Sequence, residues 1–346
     1  MKNIVVFIDG TGQDMSTQEK AERTNVARLY DGCKSIPGQA VRYCNGVGTD
    51  LYEGFTGNAF GKGLEKRVIE AYKFLQQEVG AARNNREDFK IFLFGFSRGA
   101  FAVRWLASVI AYSGIPKWGE SERLGVYNMW NNNSKDANRL KDEGRYYDVP
   151  IEMIGVWDTV QATKTKDFGI KDIPCNVAAA YHAMALDEYR AKFKVTRFNP
   201  SIKVTEVWFA GCHADVGGGY EDGLVTANIS LSWMIKMAEK HGLQVKRDNI
   251  TNYEEDCYNK KPVIHDEMKP ENEGNPSQKE AGSHWLAKLW KVTNWFSGVD
   301  KYVRLVLPTD SVHSSVGLWA TEYDIAHLQN TQNCNVWASG GRDMIA

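Results

Sequence analysis

The chain has 346 residues, 43% of them hydrophobic and 12% aromatic, which supplies a large buried core and excludes wholesale disorder. Lys and Arg number 42 against 43 Asp and Glu, a formal net charge of −1, so no global field draws in nucleic acid or an acidic membrane. No uninterrupted apolar stretch approaches the roughly 20 residues needed to cross a bilayer, and the six cysteines are scattered without a CxxC pair, as expected in a reducing cytoplasm.

From the N-terminus, Met1 to Ile8 has too short an apolar run for an export signal and ends in Asp9-Gly10-Thr11-Gly12; it reads as a first strand, Asn3–Ile8. A second strand falls near Val41–Cys44. Residues 63–79 then place Leu64, Val68, Ala71, Tyr72, Leu75 and Val79 at helical spacing. Phe89–Phe94 is apolar throughout, as a central parallel strand should be, and a helical run, Ala102–Tyr112, follows. Ile151–Trp157 and Val204–Phe209 are further strands, each ending in a small polar cluster. This alternation predicts an α/β fold with a mainly parallel central sheet and helices on both faces. From about 246 to 283 the chain turns polar, as a surface insertion in which no catalytic residue is expected. Residues 284–297 form a tryptophan-rich helical segment whose aromatic face suits core packing better than a lid. Residues 1–346 are read as one domain.

Gly95-Phe96-Ser97-Arg98-Gly99 fits G-x-S-x-G between an apolar strand and a helix, the context an α/β-hydrolase nucleophile elbow needs. The sharp turn tolerates only small residues two positions before and after Ser97. The helix start then offers the Arg98 backbone N–H to an oxyanion, and a second donor is expected from Gly10 or Thr11 in the loop after the first strand. Two phosphate chemistries fail on residue identity. A haloacid-dehalogenase phosphatase would need an aspartate where Phe7 stands, and the stretch ending at Gly61-Lys62 lacks the first glycine and the hydroxyl residue of a P-loop.

A serine hydroxyl needs a histidine base held by a carboxylate. Asp158 ends the Ile151–Trp157 strand, and His213 follows the Val204–Phe209 strand in a glycine-rich loop, which gives the order Ser, Asp, His expected of this fold. Asp215 with His313, after a strand-like stretch Tyr302–Leu307, is a rival pair. His241, His265 and His284 stand in polar contexts without a chemical signal, and Cys212 reads as a small buried neighbour of His213.

With these motifs the sequence resembles the α/β-hydrolase domain of bacterial type VI secretion phospholipase effectors and their uncharacterised relatives, over roughly residues 1–240. The resemblance runs through Asp9-Gly10-Thr11, Gly95-Phe96-Ser97-Arg98-Gly99-Ala100-Phe101, Gly155-Val156-Trp157-Asp158-Thr159-Val160 and Gly211-Cys212-His213-Ala214-Asp215-Val216-Gly217-Gly218-Gly219-Tyr220. Tyr181–Glu188 is similar to the family's helix, which makes His182 a helical core residue, and Val312-His313-Ser314-Ser315-Val316 is similar to a later motif. The resemblance implies a Ser97, Asp158, His213 triad, in preference to Asp215 with His313, and hydrolysis of phospholipid acyl esters. It requires no metal or organic cofactor and no nucleic acid. The substrate is a lipid or small ester, met at most through transient contact with a membrane surface. The expected home is the producing cell's cytoplasm, with secretion-system delivery compatible with the family. A small-ester carboxylesterase or acyltransferase, and an inactive hydrolase-fold binding module, stand as alternatives.

Overall fold

In the computed structural model, which describes residues 1–13, 15, 22–46, 57–131, 134–161, 169–255, 257, 260–267, 304–307 and 309–318, the apolar runs become strands of one sheet. In chain order the elements are β1 (Lys2–Ile8), α1 (Asn25–Cys33), β2 (Gln39–Cys44), α2 (Gly57–Asn84), β3 (Phe89–Phe96), α3 (Arg98–Ser113), β4 (Ile115–Pro116), α4 (Glu122–Trp130), α5 (Ser134–Asp142), β5 (Tyr146–Tyr147), β6 (Ile151–Trp157), β7 (Val177–Ala185), β8 (Val204–Phe209), α6 (His213–Gly217), α7 (Leu224–Lys240), β9 (Ser311–Val312) and α8 (Ser314–Leu318). The main sheet has seven strands in the order β2-β1-β3-β6-β7-β8-β9. Every neighbouring pair in it is parallel. Short β4 and β5 pair antiparallel apart from it. The fold is α/β-hydrolase-like, as the strand and helix alternation predicts.

Side chains alternate across a strand, so β1 sends Val5 and Phe7 to one face and Ile4, Val6 and Ile8 to the other. The first face packs on α1 and α7 through Val26, Leu29, Trp233 and Met234. The second packs on α2 and α3 through Val68, Leu75, Phe101 and Trp105. With both faces covered, β1, β3 and β6 have no need of a polar alternation, which is why they read as continuous apolar runs. At the start of α1 the Thr24 hydroxyl accepts the Ala27 N–H at 3.1 Å and caps the helix.

Three expectations change. Residues 181–185 of the expected helix Tyr181–Glu188 lie in β7, hydrogen-bonded between β6 and β8, so His182 is a strand residue. Alanine favours helix by less than about 1 kcal/mol per residue, and pairing on two sides outweighs that. The described part of Tyr302–Leu307, Arg304–Leu307, is not a strand, and the late strand is β9. The leucines of residues 304–307 face outward, Leu305 being 72% exposed, while Arg304 and Val306 are buried. Finally, the helix read over 63–79 is part of the longer α2. The polar insertion opens with a short 3₁₀ turn at Arg247–Asn249; its residues 268–283 and the tryptophan-rich segment 284–297 lie outside the described residues.

Candidate active site

Parallel register gathers the carboxyl ends of the strands: Ile8 stands opposite Gly95, Phe96 opposite Trp157, and Ala185 opposite Phe209. The residues that follow, Asp9, Ser97, Asp158, Asp187, Glu188 and His213, therefore collect along one edge of the sheet, where open α/β sheets bind ligands.

Ser97 has φ 58° and ψ −122°, and Asp158 has φ 36°. Such backbone costs about 1–3 kcal/mol at a non-glycine residue and persists only when its surroundings fix it. Here the two turns hold each other: Ser97 N–H donates to Trp157 O at 3.0 Å, and Val160 N–H to Ser97 O at 3.3 Å. The flanking glycines are required by space. A Cβ on Gly95 would lie 2.6 Å from the Gly99 carbonyl oxygen, and one on Gly99 would strike the carbonyl oxygens of Ile8 and Asp9. Ser97 is buried, only 3% exposed.

His213 Nδ1–H donates to Asp158 Oδ2 at 2.6 Å. This leaves Nε2 as the ring atom able to take a proton. Among the described residues no hydrogen bond joins His213 to Ser97 Oγ, a contact that in many enzymes tightens only with substrate bound. The imidazole lies against Phe96, the residue before Ser97, with ring centroids 4.5 Å apart, and Phe193 meets it edge-on at 5.0 Å. Burial lowers the His213 pKa, against the opposing pull of Asp158, so the ring is neutral and basic at neutral pH. The backbone N–H of His213 donates to Glu188 Oε2 at 3.3 Å, and Glu188 pairs with Arg190 at 2.6 Å.

Asp158 is fully buried and holds a partner that sequence reasoning missed. Arg304 donates to both carboxylate oxygens, to Oδ2 from Nη2 at 2.9 Å and to Oδ1 from Nη1, while Ala185 N–H donates to Oδ1 at 3.0 Å. Burial alone would raise this carboxyl; the Arg304 charge, with the hydrogen bonds from His213 and Arg304, outweighs it and holds Asp158 well below the usual carboxylate range. No local pattern announces Arg304, since the two residues stand 146 positions apart.

In the loop after β1, the Asp9 carboxylate accepts Gly10 N–H at 2.6 Å, the Thr24 hydroxyl at 2.5 Å and the Tyr43 hydroxyl at 2.6 Å. Gly10 N–H is thereby engaged, while a Cβ built at Gly10 would lie 3.4 Å from Ser97 Cβ, which places the Gly10-Thr11 loop beside the elbow. Arg98 is the first residue of α3, where N–H groups lie ahead of the intrahelical ladder.

Asp215 and His313 are not brought together. Asp215 accepts His265 Nδ1–H at 2.6 Å and the Cys212 N–H at 2.9 Å, whereas His313 Nδ1 meets Ser315 Oγ at 2.9 Å and its ring stacks on Phe209. His265, which gave no signal in the sequence, thus fastens the polar insertion to the start of α6. His182 is satisfied inside the sheet: its Nε2 accepts Thr159 N–H at 3.1 Å, and its Nδ1–H donates to Glu206 at 2.9 Å. Burial pushes the Cys212 thiol well above its ordinary value, which disfavours a thiolate there.

Residues 2–237 match the family described as type VI secretion system phospholipase effector Tle1-like, catalytic domain. An uncharacterized protein of Saccharomyces cerevisiae is 27% identical over 237 residues, 58% of this chain and 33% of its own, so the chain spans about a third of that relative's length. Among solved structures, an uncharacterized protein from Pseudomonas aeruginosa is 17% identical with a TM-score of 0.47, covering 71% of this chain and 47% of that one. The Tle1 effector bound to the VgrG spike from the type 6 secretion system is 19% identical with a TM-score of 0.39, covering 63% of this chain and 51% of that one.

Proposed function

The chain belongs to the Tle1-like catalytic-domain family of type VI secretion phospholipase effectors, and from that premise we propose that it hydrolyses phospholipid acyl esters with Ser97 as nucleophile, His213 as base and Asp158 as the orienting carboxylate. The observation that carries the reading is the 2.6 Å hydrogen bond from His213 to a buried Asp158, beside a serine in a strained turn after a central parallel strand. His213 Nε2 takes the Ser97 proton as the hydroxyl attacks the acyl carbonyl. The backbone N–H groups of Arg98 and Thr11 receive the oxyanion, because Gly10 N–H already serves Asp9. The protonated imidazole then gives its proton to the leaving alcohol, and the neutral ring activates the water that releases the acyl group.

Family membership supports a lipid substrate, transient membrane-surface contact and secretion-system delivery from the producing cell's cytoplasm. No described helix is long and apolar enough to cross a membrane. That β9 joins the same sheet as β1 supports reading residues 1–346 as one domain.

The burial of Ser97 favours a second reading, a carboxylesterase or acyltransferase for small esters. Purified protein should take up a fluorophosphonate at Ser97, lose it on Ser97→Ala, and hydrolyse phospholipid vesicles faster than monomeric short-chain esters. Preference for the monomeric ester would select the second reading. A folded protein without label would leave an inactive binding module.

A further inference from the structure

The matched family segment ends at residue 237, yet the guanidinium on Asp158 comes from residue 304. We propose that Arg304 is a positioning residue for the hydrolysis: it fixes the Asp158 carboxylate and, by balancing that charge, keeps His213 neutral and able to accept the Ser97 proton. The inference rests on the Ser97, His213, Asp158 reading and adds a residue from outside the matched segment.

Geometry supplies the first half. The planar fork of Arg304 makes four hydrogen bonds, two to Asp158 and two to backbone carbonyls, Ala185 O at the end of β7 and Phe193 O at 2.7 Å. Phe193 is the ring that meets the His213 imidazole edge-on. One side chain thus ties the carboxylate, the strand beside it and the aromatic wall of the base, an arrangement that only a guanidinium can satisfy. The segment that carries it is itself anchored: Asp310 accepts from Arg197 at 2.8 and 2.9 Å and from Trp208 Nε1 at 3.0 Å, and β9 pairs with β8.

Charge supplies the second half. Besides burial, the groups acting on His213 are Asp158 after β6, Glu188 after β7 and Arg190 over the Phe193 ring; Arg304 reaches it through Asp158, and Asp187 lies next to Glu188. On its own helix, Asp215 is paired with His265. Burial raises Asp187 to about 7, so it is only partly ionised at neutral pH. Arg190, with Arg98 nearby, offsets Glu188 and Glu267, and Arg304 offsets Asp158, so a neutral imidazole leaves the buried cluster balanced. Without Arg304 the buried Asp158 charge draws a proton into the pair, onto His213 or onto Asp158 itself, and either way the base is lost: a protonated ring accepts nothing, and a protonated Asp158 no longer orients it.

Full-length wild type, Arg304→Met and Arg304→Lys, each checked for folding by thermal melting, would be labelled with a fluorophosphonate across a pH series, and the rate of modification of Ser97 measured. In Arg304→Met the acidic limb should move up by about one pH unit, and the neutral-pH rate should fall about 10²-fold as the carboxylate loses its fixed position. Arg304→Lys keeps the charge and loses the fork, so its limb should stay near wild type while its rate remains low. A folded Arg304→Met with the wild-type limb overturns the proposal. Should that variant not fold, Arg304→Lys labelling at the wild-type rate overturns it instead. Wild type that takes no label at Ser97 brings down the triad reading itself, and this is seen before any variant is made.

Discussion

Asp158→Asn gives a measurement of the buried centre that does not depend on catalysis. Asp158 and Arg304 are both fully buried, so no solvent screens their pair and no water replaces a lost bond. The wild-type carboxylate accepts four hydrogen bonds: Ala185 N–H and Arg304 Nη1 at Oδ1, His213 Nδ1–H and Arg304 Nη2 at Oδ2. An amide presents one NH₂ group, and whichever way it turns, that group faces two donors. Two hydrogen bonds are lost and the Arg304 charge is left without a counterion, which by the cost of breaking a buried pair amounts to about 3–5 kcal/mol. Combining Asp158→Asn with Arg304→Met removes the stranded charge, so the double variant should recover much of that loss. Urea unfolding at pH 7 measures all four corners of the cycle. Strictly additive losses, or a single Asp158→Asn variant destabilised by less than about 1 kcal/mol, would refute the buried pair as described.

Other outcomes follow from the same geometry. Gly99→Ala forces a methyl against the Ile8 and Asp9 carbonyl oxygens, so it should destabilise the fold by about 1–3 kcal/mol and abolish Ser97 labelling, read by urea unfolding and mass spectrometry. Because burial lowers the His213 pKa, the acidic limb of kcat/KM should lie below the ordinary histidine value near 6.5; a limb above it would contradict the buried neutral base. Burial raises Asp9 to about 6 and Asp187 to about 7, both from 3.8. Raised carboxyls favour the folded state most below 3.8, and that contribution is lost as pH climbs from there to about 6 for Asp9 and about 7 for Asp187, so stability should decline across this window and Asp187→Asn should flatten the decline.

Much of this was legible in the chain because its causes are local. Apolar runs announce strands covered on both faces, and glycines at 95 and 99 announce a turn with no room for a side chain. Asp158 is legible as a candidate because it follows directly on a strand, and His213 because it stands in the loop after one.

Three-dimensional packing decided the rest. The alanine-rich stretch before Asp187 suits helix or strand, and only its place between β6 and β8 selects strand. Of the five histidines downstream of Asp215, the count of strands pointed to His313, whereas the fold delivers His265. Arg304 lies in a stretch whose leucines suggest a strand, yet its own side chain turns inward because a buried carboxylate 146 residues away needs a counterion. Local sequence marked most of the core strands and the place where the backbone must turn sharply, since periodicity and steric fit act over a few residues. Which charge meets which across the carboxyl edge was settled only by tertiary structure, because a buried ion takes the partner that packing brings within hydrogen-bond reach, however distant in the chain.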